Sequence, residues 1–412
     1  MTGPGGSEGQ WGQLGPDEGS GAPDGAVPDG AAPDGAGPHD AVPHDAVPYD
    51  FEGPDGGAAP PRTVDPRTRP ARHGRLRHPW RLTALVVIVV GLVILIGGYL
   101  WVRSEADPSG PQGAQVIVTV PAGSGESATG SLLADKGVIG SSLAFRVWSR
   151  FNSLPGIQAG TYAFRTNSSF GQVQSVLATG PNVFPLVVPP GFTVSELATR
   201  VGQLPGHFAA SFDKAATDGS VRSPWQPSGV VSLEGLLAPG TYTVTPGETD
   251  HQLLEKMVDR FDAQAAQLGL AAGARSLGYS PYEVITIASI VEKEGVLTKN
   301  MGPVARVIYN RLEKGMPLQM DSTVLYALGR DGGPVTSADL QTVSPYNTYL
   351  NKGLPPTPTC FPSEEALDAA LHPPAGNWLF FVVVEQDGTE AFSDTFAGQK
   401  ANEAIAAQRG VG

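Results

Sequence analysis

A single cysteine, Cys360, rules out any internal disulfide, so an extracytoplasmic part of this chain must draw its stability from packed cores. The first sixty residues hold no lysine or arginine against eleven acids, and proline recurs every fifth position from Pro23 to Pro48. Few large apolar groups and a high net charge cannot offset the entropy of ordering, which predicts a disordered acidic tail over 1–60. No basic stripe or aromatic–basic interleaving occurs beyond position 81, which argues against a nucleic-acid partner. The seven histidines are scattered, and no His-Glu-x-x-His exists. No metal site or other cofactor is therefore expected, and a metalloprotease is a poor reading. Ser211-Phe212-Asp213-Lys214 matches Ser-x-x-Lys, but the chain has no Lys-Thr-Gly triplet to make a penicillin-interacting acyltransferase of it.

What is present begins with a reversal of charge. The segment 61–81 carries seven arginines, from Arg62 to Arg81, against one acid, Asp65. Residues 82–102 then run without a charge between Arg81 and Arg103, with Trp80 and Trp101 near the two ends. That length matches the roughly 20 residues a helix needs to cross a bilayer, and tryptophans favour its interfaces. The stretch lies too far along the chain for an ordinary signal peptide. Arginines on its N-terminal side predict a cytoplasmic N-terminus and an extracytoplasmic remainder, anchored in the cell membrane by one span.

After a short linker, 103–113, the pattern becomes globular. A strand is expected over Gln115–Val120, helices over 131–137 and 142–151, and a strand over 161–165. A second round follows with strand Phe184–Val188 and a helix from Thr193, where Glu196 completes a capping box. These units suggest small α+β modules over 114–205, and a second α+β part over 206–412. In that part, 253–268 is helical, and Ser280-Pro281-Tyr282-Glu283 combines an N-cap, a first-position proline and an N3 glutamate. The helix it starts should stop at Gly295. Further helices are expected over 303–314 and 363–371, and a hairpin around Asp387-Gly388 joins 379–385 to 390–393.

Chemistry is harder to place. Nine acids lie between Glu234 and Gly295, so their number selects nothing. Glu294 ends an apolar helix, where the negative end of the helix dipole and partial burial both raise a carboxyl's pKa. Protonation of a leaving alcohol needs such a group. Glu292 is the rival, because a helical wheel sets the two on opposite flanks of the apolar stripe and geometry does not choose between them. Downstream loops rich in amides, hydroxyls and tyrosines suit a groove for sugars, although the same residues also build ordinary turns.

Six motifs carry a resemblance. In order they are Leu-Glu-Gly-Leu-Leu-Ala-Pro-Gly-Thr-Tyr (233–242), Ala-Ser-Ile-Val-Glu-Lys-Glu (288–294), Val-Ile-Tyr-Asn-Arg-Leu (307–312), Gly-Met-Pro-Leu-Gln-Met-Asp-Ser-Thr-Val-Leu-Tyr (315–326), Ser-Pro-Tyr-Asn-Thr-Tyr (344–349) and Gly-Leu-Pro-Pro (353–356). Together they resemble the YceG-like endolytic murein transglycosylases (MltG type) over about 115–405. The rim after Pro356 departs from the family's pattern at Thr357, Phe361 and Ser363.

The resemblance implies a LysM-like module within 114–205 and a YceG-like catalytic domain over 206–412. It also implies Glu294 as the catalytic acid/base, since the family uses the second glutamate of Glu-Lys-Glu. Gln319, Asp321, Ser322, Tyr346, Asn347 and Thr348 become candidates for substrate binding. The implied substrate is the nascent peptidoglycan glycan strand, cut between N-acetylmuramic acid and N-acetylglucosamine to leave 1,6-anhydro ends that terminate elongation. Cell-wall synthesis proteins such as penicillin-binding proteins are the implied partners. The alternative is a catalytically silent peptidoglycan-binding scaffold.

Overall fold

The structure, a computed structural model, describes residues 79–295 and 297–411. The expected disordered tail and the basic segment up to position 78 lie outside the described residues. Helix α1 (Pro79–Ala106) contains the whole apolar run. It is the one helix among the described residues long and apolar enough to cross a membrane, with a mean hydropathy of 2.8. None of its apolar window is buried in the protein.

The first core is built from β1 (Gln115–Val120), α2 (Glu126–Asp135), α3 (Ser142–Ser149), β2 (Gly160–Arg165) and α4 (Phe170–Thr179). β1 and β2 pair antiparallel, with Val118 opposite Tyr162 and Val120 opposite Gly160. Strand alternation turns Val118 and Val120 inward onto Leu133, Phe145, Phe170 and Leu177. α2 starts at Glu126, five residues before the expected position, because Thr129 and Gly130 pack inside it despite their weak helix propensity. α4 was not expected, although Ser169 and Gln172 form a complete capping box ahead of it.

The expected linker is no free spacer. α1 continues to Ala106, and its Val102 and Ala106 pack against the first core. Gly113 N donates to Thr166 O at 2.9 Å, Asn167 Nδ2 to Pro111 O at 3.2 Å, and Gln112 Nε2 to Gln172 Oε1 at 2.9 Å.

The second core takes β3 (Phe184–Val188), α5 (Val194–Val201), α6 (Ala209–Thr217), β4 (Gly240–Val244), α7 (Asp250–Gln267), α8 (Leu270–Leu277), α9 (Pro281–Glu294), α10 (Thr298–Glu313), α11 (Asp321–Ala327) and α12 (Glu364–Leu371). β5 (Phe380–Val383), β6 (Glu390–Ser393) and α13 (Phe396–Gln408) close the chain. β3 finds its partner in β4, with Leu186 opposite Tyr242. That pairing draws Leu186 through Val201 into the same core as Phe212 and Phe261, so the cores part between 177 and 186 and not at 205.

α9 is the axis of this core. Ser280 caps it, Glu283 closes the capping box, and every residue from Val284 to Val291 is buried. α10 begins five residues ahead of expectation, which leaves Pro303 inside the helix without an N–H to donate back. The hairpin β5–β6 has the expected turn, with Val383 opposite Glu390.

Candidate active site

The C-terminal end of α9 opens into a cleft of about 650 Å³. Glu294, Asp321, Ser322, Tyr326, Tyr346 and Glu234 are among its lining residues. Gly295 caps α9 by returning its N–H to Val291 O at 2.8 Å, which leaves Glu294 as the last helical side chain. Its Oε1 accepts from Ser322 N at 3.1 Å and from Ser322 Oγ at 2.6 Å. Burial raises the Glu294 pKa; the two Ser322 hydrogen bonds pull against it, Asp321 adds to it, and Arg311 opposes. The net direction is upward, towards a carboxyl that keeps its proton.

Glu292 does different work. Its Oε2 accepts from Ser363 N at 2.8 Å and from Ser363 Oγ, at the N-cap of α12. The two glutamates that a wheel could not separate thus face a helix cap and a cleft. Glu292→Gln is expected to cost about 1 kcal/mol of stability, the scale of a weakened cap, while leaving cleavage close to wild type. Thermal melts and product yield on the same preparation check this, and a collapse of yield with an unchanged melt would reverse the assignment.

A second carboxyl reaches the cleft from far back in the sequence. Gly235, at φ 77° and pressed against Pro358, makes the turn that sends Glu234 inward. Glu234 is 4% exposed; both its oxygens lie 3.2 Å from Val194 N, and Tyr326 Oη donates to Oε2 at 3.2 Å. Burial outweighs these bonds and lifts its pKa to about 8. Glu390, buried on β6, is also lifted to about 8 by burial.

Above the ordinary 4.5 the unfolded chain has lost protons that the folded chain keeps until about 8, so stability declines across that window as pH rises. Urea midpoints are expected to fall between pH 5 and pH 8, and to fall less in Glu234→Gln. Equal slopes would mean that Glu234 ionises freely in the fold.

Of the six expected substrate-binding residues, the cleft gathers Asp321, Ser322 and Tyr346. The Tyr346 ring lies 4.8 Å from that of Tyr326, and Tyr349 Oη donates to Asp321 Oδ1 at 2.6 Å. The other three stand apart. Asn347 is buried and spends its Nδ2 on Leu340 O and Thr342 O, at 3.0 and 2.8 Å. Thr348 is buried too, with Oγ1 accepting from Met320 N at 3.0 Å and meeting Thr323 Oγ1 at 2.8 Å. Gln319 is exposed at φ 51° outside the cleft lining, donating its N–H to Thr348 O. These three shape the loop that presents Asp321 and Ser322.

Sequence reasoning missed Glu234, Tyr326 and the Lys293–Asp331 ion pair, 2.6 Å long, at the rim. Glu234 and Tyr326 both lie in motifs already noted, and burial was the signal that pattern could not supply. No cluster of metal-ligating side chains occurs among the described residues.

The model of the YceG-like family matches residues 118–405. An endolytic murein transglycosylase of Streptococcus pneumoniae is 29% identical over 340 residues, which cover 74% of this chain and 61% of the relative. The chain therefore spans less than two thirds of that relative's length. One from Bacillus subtilis is 28% identical over 328 residues, covering 74% of this chain and 88% of its own. A crystal structure of a yceG-like protein from Listeria monocytogenes is 30% identical, covers 70% of this chain and 98% of its own, and superposes with a TM-score of 0.49.

Proposed function

The chain belongs to the YceG-like family, and from that we propose that it is a lytic transglycosylase that cuts peptidoglycan glycan strands with Glu294 as its one acid/base. The observation that carries the reading is the Glu294 carboxyl, held by Ser322 in the cleft with burial favouring its proton. Glu294 protonates the oxygen between N-acetylmuramic acid and N-acetylglucosamine, and the bond to the anomeric carbon breaks. The muramic acid C6 hydroxyl then bonds to that carbon and returns its proton to Glu294. The products are a free sugar hydroxyl and a 1,6-anhydro end, with no water consumed. Intramolecular attack supplies the nucleophile by proximity, so no second carboxylate is needed.

Several finer readings accompany it. Ser322 holds the Glu294 carboxyl in place, while Asp321 and Tyr346 contact sugar. The β1–α2–α3–β2 unit is a LysM-like module that holds glycan, a reading supported by the order of its elements. α1 spans the cell membrane with the N-terminus in the cytoplasm, supported by its exposed apolar surface and the arginines before it. Cleavage beside the membrane would end elongation of nascent strands, in company with penicillin-binding proteins.

Heavy-oxygen water tests the chemistry. Fragments released from polymeric glycan are expected to carry the anhydro ring and to gain no mass at the new muramic acid end. New ends that are ordinary reducing sugars bearing the heavy oxygen would make the enzyme a hydrolase and Asp321 the first candidate for its second carboxylate.

A further inference from the structure

Outside the cleft, one exposed apolar patch is formed by a face of α3 and the turn that follows it. Leu143, Val147 and Phe151 are 55%, 39% and 86% exposed, and Arg146 and Arg150 are exposed beside them. On α3 itself Leu143, Arg146 and Val147 fall within an arc of about 100°, and Arg150 and Phe151 follow directly in the turn that ends the helix. The opposite face is spent on the first core through Ala144, Phe145 and Ser149. Leu143 and Val147, one turn apart on α3, and Phe151 just past its end leave a water-facing apolar patch that a partner would cover.

The place of α3 in the fold names that partner. α3 lies against the C-terminal turns of α1, where Glu105 crowds Gly140 just ahead of α3. Val102, the last residue of the uncharged run, and Ala106 both pack on the core that α3 helps to build. Four residues of helix separate them, about 6 Å of rise. The headgroup layer on each side of a bilayer is roughly 5–8 Å deep. α3 therefore stands at headgroup level whenever α1 crosses the membrane. Apolar groups interleaved with arginines are the composition of a helix lying in that layer, since an arginine can bury its stem while its guanidinium meets a lipid phosphate.

We infer that α3 seats the first module on the membrane, with Leu143, Val147 and Phe151 entering the headgroup–acyl boundary and Arg146 and Arg150 on anionic lipid phosphates. The inference rests on α1 being a membrane span. It commits to a lipid surface and not to a second copy of the chain.

The test uses the full chain in phosphatidylglycerol nanodiscs, one copy to a disc. Nitroxide labels are attached in separate proteins at Phe151→Cys, Val147→Cys, Ile94→Cys and Val231→Cys. Cys360 is fully buried, so the introduced thiol is the one that the reagent meets. Val231, exposed on the second core's segment, serves as the water reference. Collision rates with oxygen and with a water-soluble nickel chelate give depth. Labels at 147 and 151 are expected to favour oxygen over nickel, at depths of about 5 Å below the phosphates. Nickel access at 147 and 151 equal to that at 231, with Ile94 in lipid, overturns the seating alone. Nickel access at Ile94 overturns the span and the seating together. Dipolar broadening at 151 in discs that hold two copies, with the same label wet in discs that hold one, makes the face a self-association surface and also overturns the inference.

Discussion

Replacing Glu294 by glutamine is expected to lower the yield of anhydro-ended fragments about 10²-fold or more, the span attributed to a positioned general acid. The amide keeps the length of the side chain and an oxygen to accept from Ser322 N and Oγ, so the fold and the cleft are retained. What is lost is the titratable proton. In the wild type, activity is expected to fall as pH rises through the elevated pKa of Glu294, because the acid form is the one that reacts. The residual activity of Glu294→Gln should lack that alkaline limb. Purified full-length protein, polymeric glycan and mass spectrometry of fragments measured from pH 5 to pH 9 suffice. A Glu294→Gln enzyme within a fewfold of wild type, or one with the same alkaline limb, would remove Glu294 from the mechanism.

Arg311→Ala is expected to produce the largest loss of stability, about 3 kcal/mol or more. Arg311 is 6% exposed and spans three parts of the site's scaffold. Its Nε donates to Leu379 O at 2.7 Å, its Nη1 to Leu318 O, and its guanidinium lies 5.6 Å from the centre of the Phe380 ring. Hydrogen bonds from a charged donor each contribute about 1.5–3 kcal/mol, and truncation strands the buried Leu318 carbonyl and the partly buried Leu379 carbonyl besides. A fall in melting temperature on the order of 5–10 °C follows for a chain of this size. Arg311→Lys should rescue little, since a single ammonium cannot reproduce the planar fork that reaches both carbonyls. Because Leu318 opens the segment that delivers Asp321 and Ser322, activity should fall with stability. A melt within 1–2 °C of wild type would show that the guanidinium is not the strut between α10 and the two loops.

Local signals were legible wherever one short segment decides its own structure. Thr193 with Glu196 and Ser280 with Glu283 act through side chain to backbone bonds within a turn, Pro281 through its fixed φ, and Gly295 through its own N–H to Val291 O, and the helices start or stop where they indicate. The β5–β6 turn belongs to the same class. Long-range pairing was not legible. β3 ends 52 residues before β4 begins, so nothing near position 205 reveals that Val201 already lies in the second core. The candidate site divided on the same line. Glu294 and Glu292 differ by what α11 and the start of α12 bring to them, and a wheel of α9 contains neither. Glu234 comes from 60 positions earlier, and its burial depends on α5 and Tyr326. Asn347 and Thr348 have the residue types of a sugar site, yet their polar atoms are consumed by the loop itself.

With α1 as the proposed membrane span, its tie to the first core makes bilayer thickness a variable for the protein. An uncharged run of 21 residues rises about 31 Å, close to the ~30 Å of an average hydrocarbon layer. In a thinner membrane a span of that length tilts to hide its excess. A flexible tether would absorb the tilt, but here Val102 and Ala106 are packed into the module and the bonds from Gln112 and Gly113 remove the slack. The first core must roll with the helix, lifting one flank of the module and lowering the other. Acyl-chain length would then steer how the first core sits at the membrane surface.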